Sequence, residues 1–138
     1  MSCSFCDIVS GGNPAEIVWR KAGALAFLDN RPLFPGHVLL IPEAHVLTLA
    51  DLPPNVTGPY FQAAQKLQRA VESAMQAEGS FVAINNRVSQ SVPHLHTHIV
   101  PRRKGDGLKG FFWPRHRYDS DAHMREVADR IRQELKET

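Results

Sequence analysis

The chain has 138 residues, of which 43% are hydrophobic and 22% charged, and its formal net charge is +2. That length suits one domain with a sizeable core, and no apolar run approaches the length of a membrane span. A charge so small makes no electrostatic case for nucleic acid as a partner. The first residues show no basic stretch leading into an apolar one, so a signal peptide is not expected and a cytoplasmic location is.

Two cysteines, Cys3 and Cys6, form a C-x-x-C pair near the start. In a reducing compartment such a pair points to metal binding or redox work before a structural disulfide. Nothing before it reads as the strand of a thioredoxin-type unit. Half a zinc site is one reading, and two plain thiols near a terminus is the other.

Residues 4–10 suit a short helix, which Gly11-Gly12-Asn13-Pro14 breaks. Ile17-Val18-Trp19-Arg20 and Ala24-Leu25-Ala26-Phe27-Leu28-Asp29 read as a hairpin around a turn at residues 21–23. A loop rich in Pro and Gly leads to His37-Val38-Leu39-Leu40-Ile41-Pro42, nearly all apolar and so a central strand. From residue 59 to 78 the period becomes helical. Tyr60, Ala64, Leu67, Val71 and Ala74 make one apolar stripe, and Gly79 is expected to stop the helix. Ser80-Phe81-Val82-Ala83-Ile84 is a strand, followed by a polar loop. Past residue 101 the chain is basic and irregular, with Phe111-Phe112-Trp113 within it. Met124, Val127, Ile131 and Leu135 then mark an amphipathic helix with Ser120 or Asp121 as its N-cap. Strands interrupted by one long helix and closed by another suggest an α+β fold with a mainly antiparallel sheet.

The stretch with most chemistry is Pro93-His94-Leu95-His96-Thr97-His98-Ile99-Val100-Pro101. On a strand His94, His96 and His98 share one face, their roots about 6.6 Å apart, while Leu95, Thr97 and Ile99 face the other way. Pro93 and Pro101 suit strand ends. The histidines could hold a metal, since imidazole suits zinc, copper, iron and nickel. They could instead be a catalytic row in which one ring attacks, or a chance cluster.

This segment resembles the signature of the histidine triad (HIT) family, three histidines alternating with apolar residues. The resemblance extends to the cysteine-bearing residues 3–9, to Phe27-Leu28-Asp29, and to the strand from Pro35-Gly36-His37 to Pro42. It also takes in Ile84-Asn85-Asn86 and Gln90-Ser91-Val92, all in order. Thr97 departs from the signature, which has an apolar residue there. Its expected effect is a modest change of packing.

The resemblance implies a single domain over 1–138, with a core over about 3–101. It implies a five-stranded sheet with one long and one C-terminal helix, and a homodimer whose sheets meet edge to edge. It implies a nucleotide hydrolase or transferase acting at the α-phosphate of dinucleoside polyphosphates, adenosine phosphoramidates or aminoacyl adenylates. His96 matches the middle histidine and so the nucleophile. Neutral imidazole has a free lone pair at pH 7 and needs no strong base. The His94 carbonyl is expected to hold its other nitrogen. His98 would contact the phosphate and assist the leaving group, and His37 would line the same pocket.

Gln90, Ser91 and Asn85 would donate to phosphate oxygens, Asp29 would accept from the ribose hydroxyls, and Ile8 and Phe27 would flank the base. Cys3, Cys6, His45 and His94 resemble the structural zinc site of the HIT branch that keeps the C-x-x-C pair. No spacing rule links His45 to the cysteines. The basic aromatic segment is expected near the site, holding distal phosphates or a second base. Against the enzyme stand a metal module built on the three histidines and a nucleotide-binding protein without turnover.

Overall fold

The computed structural model describes residues 2–108 and 115–136. The chain falls into two compact units, residues 1–106 and residues 107–138. The first contains α1 (Ser4–Ser10), β1 (Ile17–Lys21), β2 (Ala24–Leu28), β3 (Val38–Pro42), α2 (Pro54–Ala74), β4 (Gly79–Ile84) and β5 (Thr97–Arg102). A short 3-10 turn covers Leu49–Asp51. The second contains α3 (Asp121–Lys136), whose N-cap is Ser120: its hydroxyl accepts from the His123 amide at 3.0 Å.

The five strands form one sheet in the order β1-β2-β3-β5-β4, and every neighbouring pair is antiparallel. Ala22 and Gly23 turn the β1–β2 hairpin with φ of 54° and 79°. Two positive φ values in a two-residue loop match the right-handed twist of the strands. β2 and β3 are covered on both sides, as their unbroken apolar runs require. Ala24, Ala26, Val38, Leu40, Leu95 and Ile99 pack with Tyr60, Ala63, Ala64, Leu67 and Val71 of α2. Leu25, Phe27, Leu39 and Ile41, one residue out of phase, pack with Phe5 and Ile8 of α1. The sheet is therefore the middle layer, and α1 sits on the side opposite α2.

Three expectations need correction. α2 runs over Pro54–Ala74, not 59–78. Pro54 occupies its first turn, where a missing amide hydrogen costs nothing, and Pro59 lies only one turn further in. Gly79 does not stop the helix; it pairs with Arg102 as the first residue of β4. The stop is a Schellman turn at Gln76, with φ of 52°, in which the Ala77 and Gln76 amides donate to the carbonyls of Glu72 and Ser73. Finally, the ladder of β5 begins at Thr97, so His94 and His96 lie before it, and Pro101 lies within it, paired with Ser80. The Leu95 amide donates to the Val46 carbonyl at 2.8 Å instead of to a neighbouring strand. Alternation begins before the ladder, because Leu95 packs with Ile99 on the α2 side of the sheet while His94 and His96 meet Phe5 of α1.

Candidate active site

Residues 94–98 place two imidazole clusters side by side. Around one of them opens a cavity of about 660 Å³. Its apolar wall includes Phe5, Ile8, Phe27, Leu39 and Val92, and its polar groups include Asp29, Ser91, His96 and His98. Phe5 meets the His96 ring edge-on at 5.2 Å and Phe27 at 5.4 Å. Phe5 was not singled out from sequence, although its three-residue spacing from Ile8 puts both on one face of α1.

The hydrogen bonds decide which ring nitrogen carries the proton. His96 Nδ1 lies 2.8 Å from the His94 carbonyl oxygen, which can only accept. Nδ1 is therefore the N–H, and Nε2 keeps its lone pair. His98 is held the other way. The Leu33 amide donates to His37 Nδ1 at 3.1 Å, so the proton of neutral His37 is on Nε2. That N–H points at His98 Nδ1, 3.0 Å away, which must accept. His98 thus carries its own proton on Nε2. The His96 and His98 rings stand 5.0 Å apart, one offering a lone pair and the other an N–H.

Burial pushes His98 down to about 4, helped by His96 and His37 and opposed by Asp29. Burial also lowers His37, again against Asp29. Both rings are therefore neutral at pH 7. Asp29 receives the Arg31 amide on Oδ1 at 2.9 Å, and its Oδ2 is 3.7 Å from His37 Nε2.

His37 itself backs His98 and is not among the residues lining the cavity. Its position depends on Gly36, which has φ of 95° and would drive a Cβ to 2.5 Å from Met75 Cγ. An L side chain there is strained by the positive φ and has to displace Met75.

Ser91 reaches the cavity wall, but Gln90 and Asn85 are not among its lining residues. Gln90 braces two loops: its Oε1 accepts from the Arg87 amide and its Nε2 donates to the Leu47 carbonyl, each at 2.8 Å. Of the basic segment, Arg102 pairs with Asp106, Arg103 donates to the Met75 carbonyl, and the Lys104 amide donates to Glu78. Arg103 and Lys104 thus bind just past the end of α2, and Arg102 is paired within its own loop. Phe111, Phe112 and Trp113 lie outside the described residues.

The second cluster is Cys3, Cys6, His45 and His94, whose ligand atoms all lie within 4.8 Å of one another. Cys3 Sγ is 3.4 Å from His94 Nδ1, and Cys6 Sγ is 3.3 Å from His45 Nδ1 and 3.6 Å from His94 Nδ1. A tetrahedral zinc ion, at about 2.3 Å from sulfur and about 2.0–2.1 Å from nitrogen, separates the two by about 3.5 Å. The donor set fits. His94 Nε2 donates to the Pro42 carbonyl at 2.8 Å, which leaves the Nδ1 lone pair facing the sulfurs. Burial, with Cys3 alongside, pushes the Cys6 thiol up.

Asp29, His37 and His98 also bring their ligand atoms together. They make a poor cation site, since the N–H on His37 Nε2 points into it. Among the described residues His94, His96 and His98 do not form a ligand group.

A family model described as the HIT domain matches residues 10–105. The chain belongs to the HIT domain family. It is a hydrolase of the histidine triad type. Among its relatives is the asymmetrical bis(5'-nucleosyl)-tetraphosphatase of Schizosaccharomyces pombe, 37% identical over 94 residues, 67% of this chain and 52% of that protein. Another is the adenosine 5'-monophosphoramidase of Candida albicans, 29% identical over 97% of this chain and 91% of that one. A zinc-bound histidine triad family protein from Mycobacterium smegmatis superposes with a TM-score of 0.73, at 35% identity, covering 100% of this chain and 99% of the other.

Proposed function

We propose that this enzyme hydrolyses dinucleoside polyphosphates at the α-phosphate through a nucleotidyl-His96 intermediate. The observation that carries the reading is the pair of opposed tautomers in one cavity. The lone pair on His96 Nε2 attacks phosphorus, and the bond to the leaving oxygen breaks with its electron pair. His98 donates its Nε2–H to a phosphate oxygen, where charge develops. Water then attacks phosphorus. As the new P–O bond forms, the P–N bond breaks with its electron pair returning to Nε2, His96 departs as neutral imidazole, and the water's proton passes to the departed phosphate or to solvent. Ser91 supplies a further donor, Asp29 accepts from the ribose hydroxyls, and Phe5, Ile8 and Phe27 enclose the base.

Cys3, Cys6, His45 and His94 are proposed to hold one zinc ion per chain. Bound there, with four protein ligands, zinc is a closed structural centre and carries no substrate. The protein is further proposed to work as a cytoplasmic homodimer joined along a sheet edge. No described helix is long and apolar enough to cross a membrane. Edge strand β4 carries Val82 at 44% exposure. Light scattering is expected to give a dimer, and a monomer throughout the micromolar range contradicts it.

A second reading, hydrolysis of adenosine phosphoramidates or aminoacyl adenylates, is favoured by the Candida relative, which matches nearly the whole chain. One panel separates the two: diadenosine tetraphosphate against an adenosine phosphoramidate under identical conditions. A higher kcat/KM on the phosphoramidate replaces the first reading with the second. Acid-quenched enzyme given labelled substrate is expected to carry an acid-labile nucleotidyl group. Its absence, with turnover intact, removes the covalent mechanism from both.

A further inference from the structure

Behind the histidine row, on the α2 side of the sheet, lies a buried chain of hydroxyls. Tyr60 Oη is 2.8 Å from the Leu40 carbonyl oxygen and 2.7 Å from Thr97 Oγ1. Tyr60 and Thr97 are each 1% exposed, so water reaches neither. The carbonyl can only accept, so the Tyr60 O–H is committed to Leu40. The Thr97 O–H must then donate to the tyrosine oxygen. The chain runs Thr97 to Tyr60 to Leu40, each member polarised by the next. Burial raises the Tyr60 phenol far out of its ordinary range, which keeps that proton in place.

The location gives this chain its meaning. Leu40 and Thr97 are the final register pair between β3 and β5. One residue earlier stands His96, which has left the ladder, and one residue later stands His98. A single α2 hydroxyl therefore binds both strands at the point where the sheet ends and the histidine row begins. An apolar residue at 97 would pack there but would leave the end of the ladder without a lateral tie. A methyl contact resists sliding weakly, whereas a hydrogen bond fixes direction as well as distance.

We propose that Tyr60 and Thr97 are positioning residues that hold His96 and His98 in their attacking phase through this hydroxyl chain. The proposal rests on the reading of His96 as nucleophile. Tyr60→Phe and Thr97→Val each remove a link while keeping the volume. Each is expected to lower kcat about tenfold, short of the 10²-fold that an ångström of misplacement can cost. KM and the affinity for a non-hydrolysable nucleotide analogue should stay unchanged. The double variant is expected to be no slower than either single, because one lost link already frees the row.

Stability separates this role from mere packing. The double variant leaves no buried hydroxyl without a partner, so its melting temperature should recover toward the parent's while its kcat stays low. Thr97→Ser restores the donor and should restore kcat. In nitrogen-15 spectra of the imidazoles, Thr97→Val should broaden the His96 and His98 resonances, and Thr97→Ser should not. Parent kcat in both single variants, or a kcat that follows melting temperature in the double, overturns the proposal. If Tyr60→Phe does not fold, Thr97→Val and Thr97→Ser decide alone. His96→Ala in the same assay keeps the two readings apart: an active His96→Ala rejects the nucleophile, whereas an inactive one with normal hydroxyl variants rejects only the clamp.

Discussion

Two clusters share one pentapeptide and differ in what their imidazoles offer. Around the cysteines the ring nitrogens converge: His94 and His45 both turn Nδ1 toward sulfur, and for His94 the Pro42 carbonyl leaves a lone pair there. Around the cavity, lone pairs and N–H groups alternate, from the Leu33 amide through His37 to His98, with His96 facing the other way. A converging set collects a cation, and an alternating set handles a substrate whose charge moves. The residue type is the same in both. The difference lies in the backbone group each ring meets, the Pro42 carbonyl for His94 and the Leu33 amide for His37. His94 joins them: its ring belongs to one cluster and its carbonyl orients the other.

The largest expected effect is at His96. Its change to Ala should cost on the order of 10³-fold or more in kcat and leave nucleotide affinity nearly intact, because a nucleophile acts on the transition state. Equal loss from His94→Ala, His96→Ala and His98→Ala, with release of one metal ion in each case, would merge the two clusters into one. His98→Ala should fall less, by about 10²–10³-fold, the scale of one lost donor to developing charge.

Next in size is the metal side. Elemental analysis should find one zinc per chain in the parent and none in Cys6→Ala. That variant should melt several degrees lower, as a loss of about 2 kcal/mol would require. Metal-free protein with the parent's melting temperature and full activity would leave the cysteine cluster without a role.

An effect that leaves activity at neutral pH untouched is on stability against pH. His98 is held near 4 in the fold and returns to about 6.5 when unfolded. Between those values the unfolded chain binds the extra proton, so this contribution is complete above about pH 6.5 and is lost as pH falls toward 4. His37, lowered by burial, acts in the same sense, while Asp29 opposes both. His98→Gln should flatten the dependence of melting temperature on pH in that window. An unchanged slope would mean that His98 is already charged in the folded protein.

Much of this arrangement is legible in the residues alone. The alternation at 94–99 sends the histidines to one face and Leu95, Thr97 and Ile99 to the other, beginning before the ladder starts at Thr97. The unbroken run at 38–41 announces a strand covered on both sides. Other features have no local signal. The helix stop at Gln76 looks like an ordinary surface position, while Gly79, the better candidate by type, is needed by the sheet. Gln90 has the chemistry of a phosphate donor, yet both ends of its amide are engaged by Leu47 and Arg87. Tyr60 reads as one member of an apolar stripe, and only its distance from Thr97 gives its hydroxyl a purpose.

By itself the sequence determined which residues could serve: three imidazoles on one face, two thiols a helical turn apart, a carboxylate at a strand end. It could not determine which nitrogen of each ring carries the proton. The two neutral tautomers of histidine are close in energy, so the nearest fixed donor or acceptor decides between them. For His94 and His37 those partners come from residue 42, 52 positions away, and residue 33, four positions away round a loop. Only a folded backbone brings a carbonyl to one ring and an amide to the other, and that choice turns the His94 lone pair toward the cysteines and sets His96 and His98 in opposite tautomers.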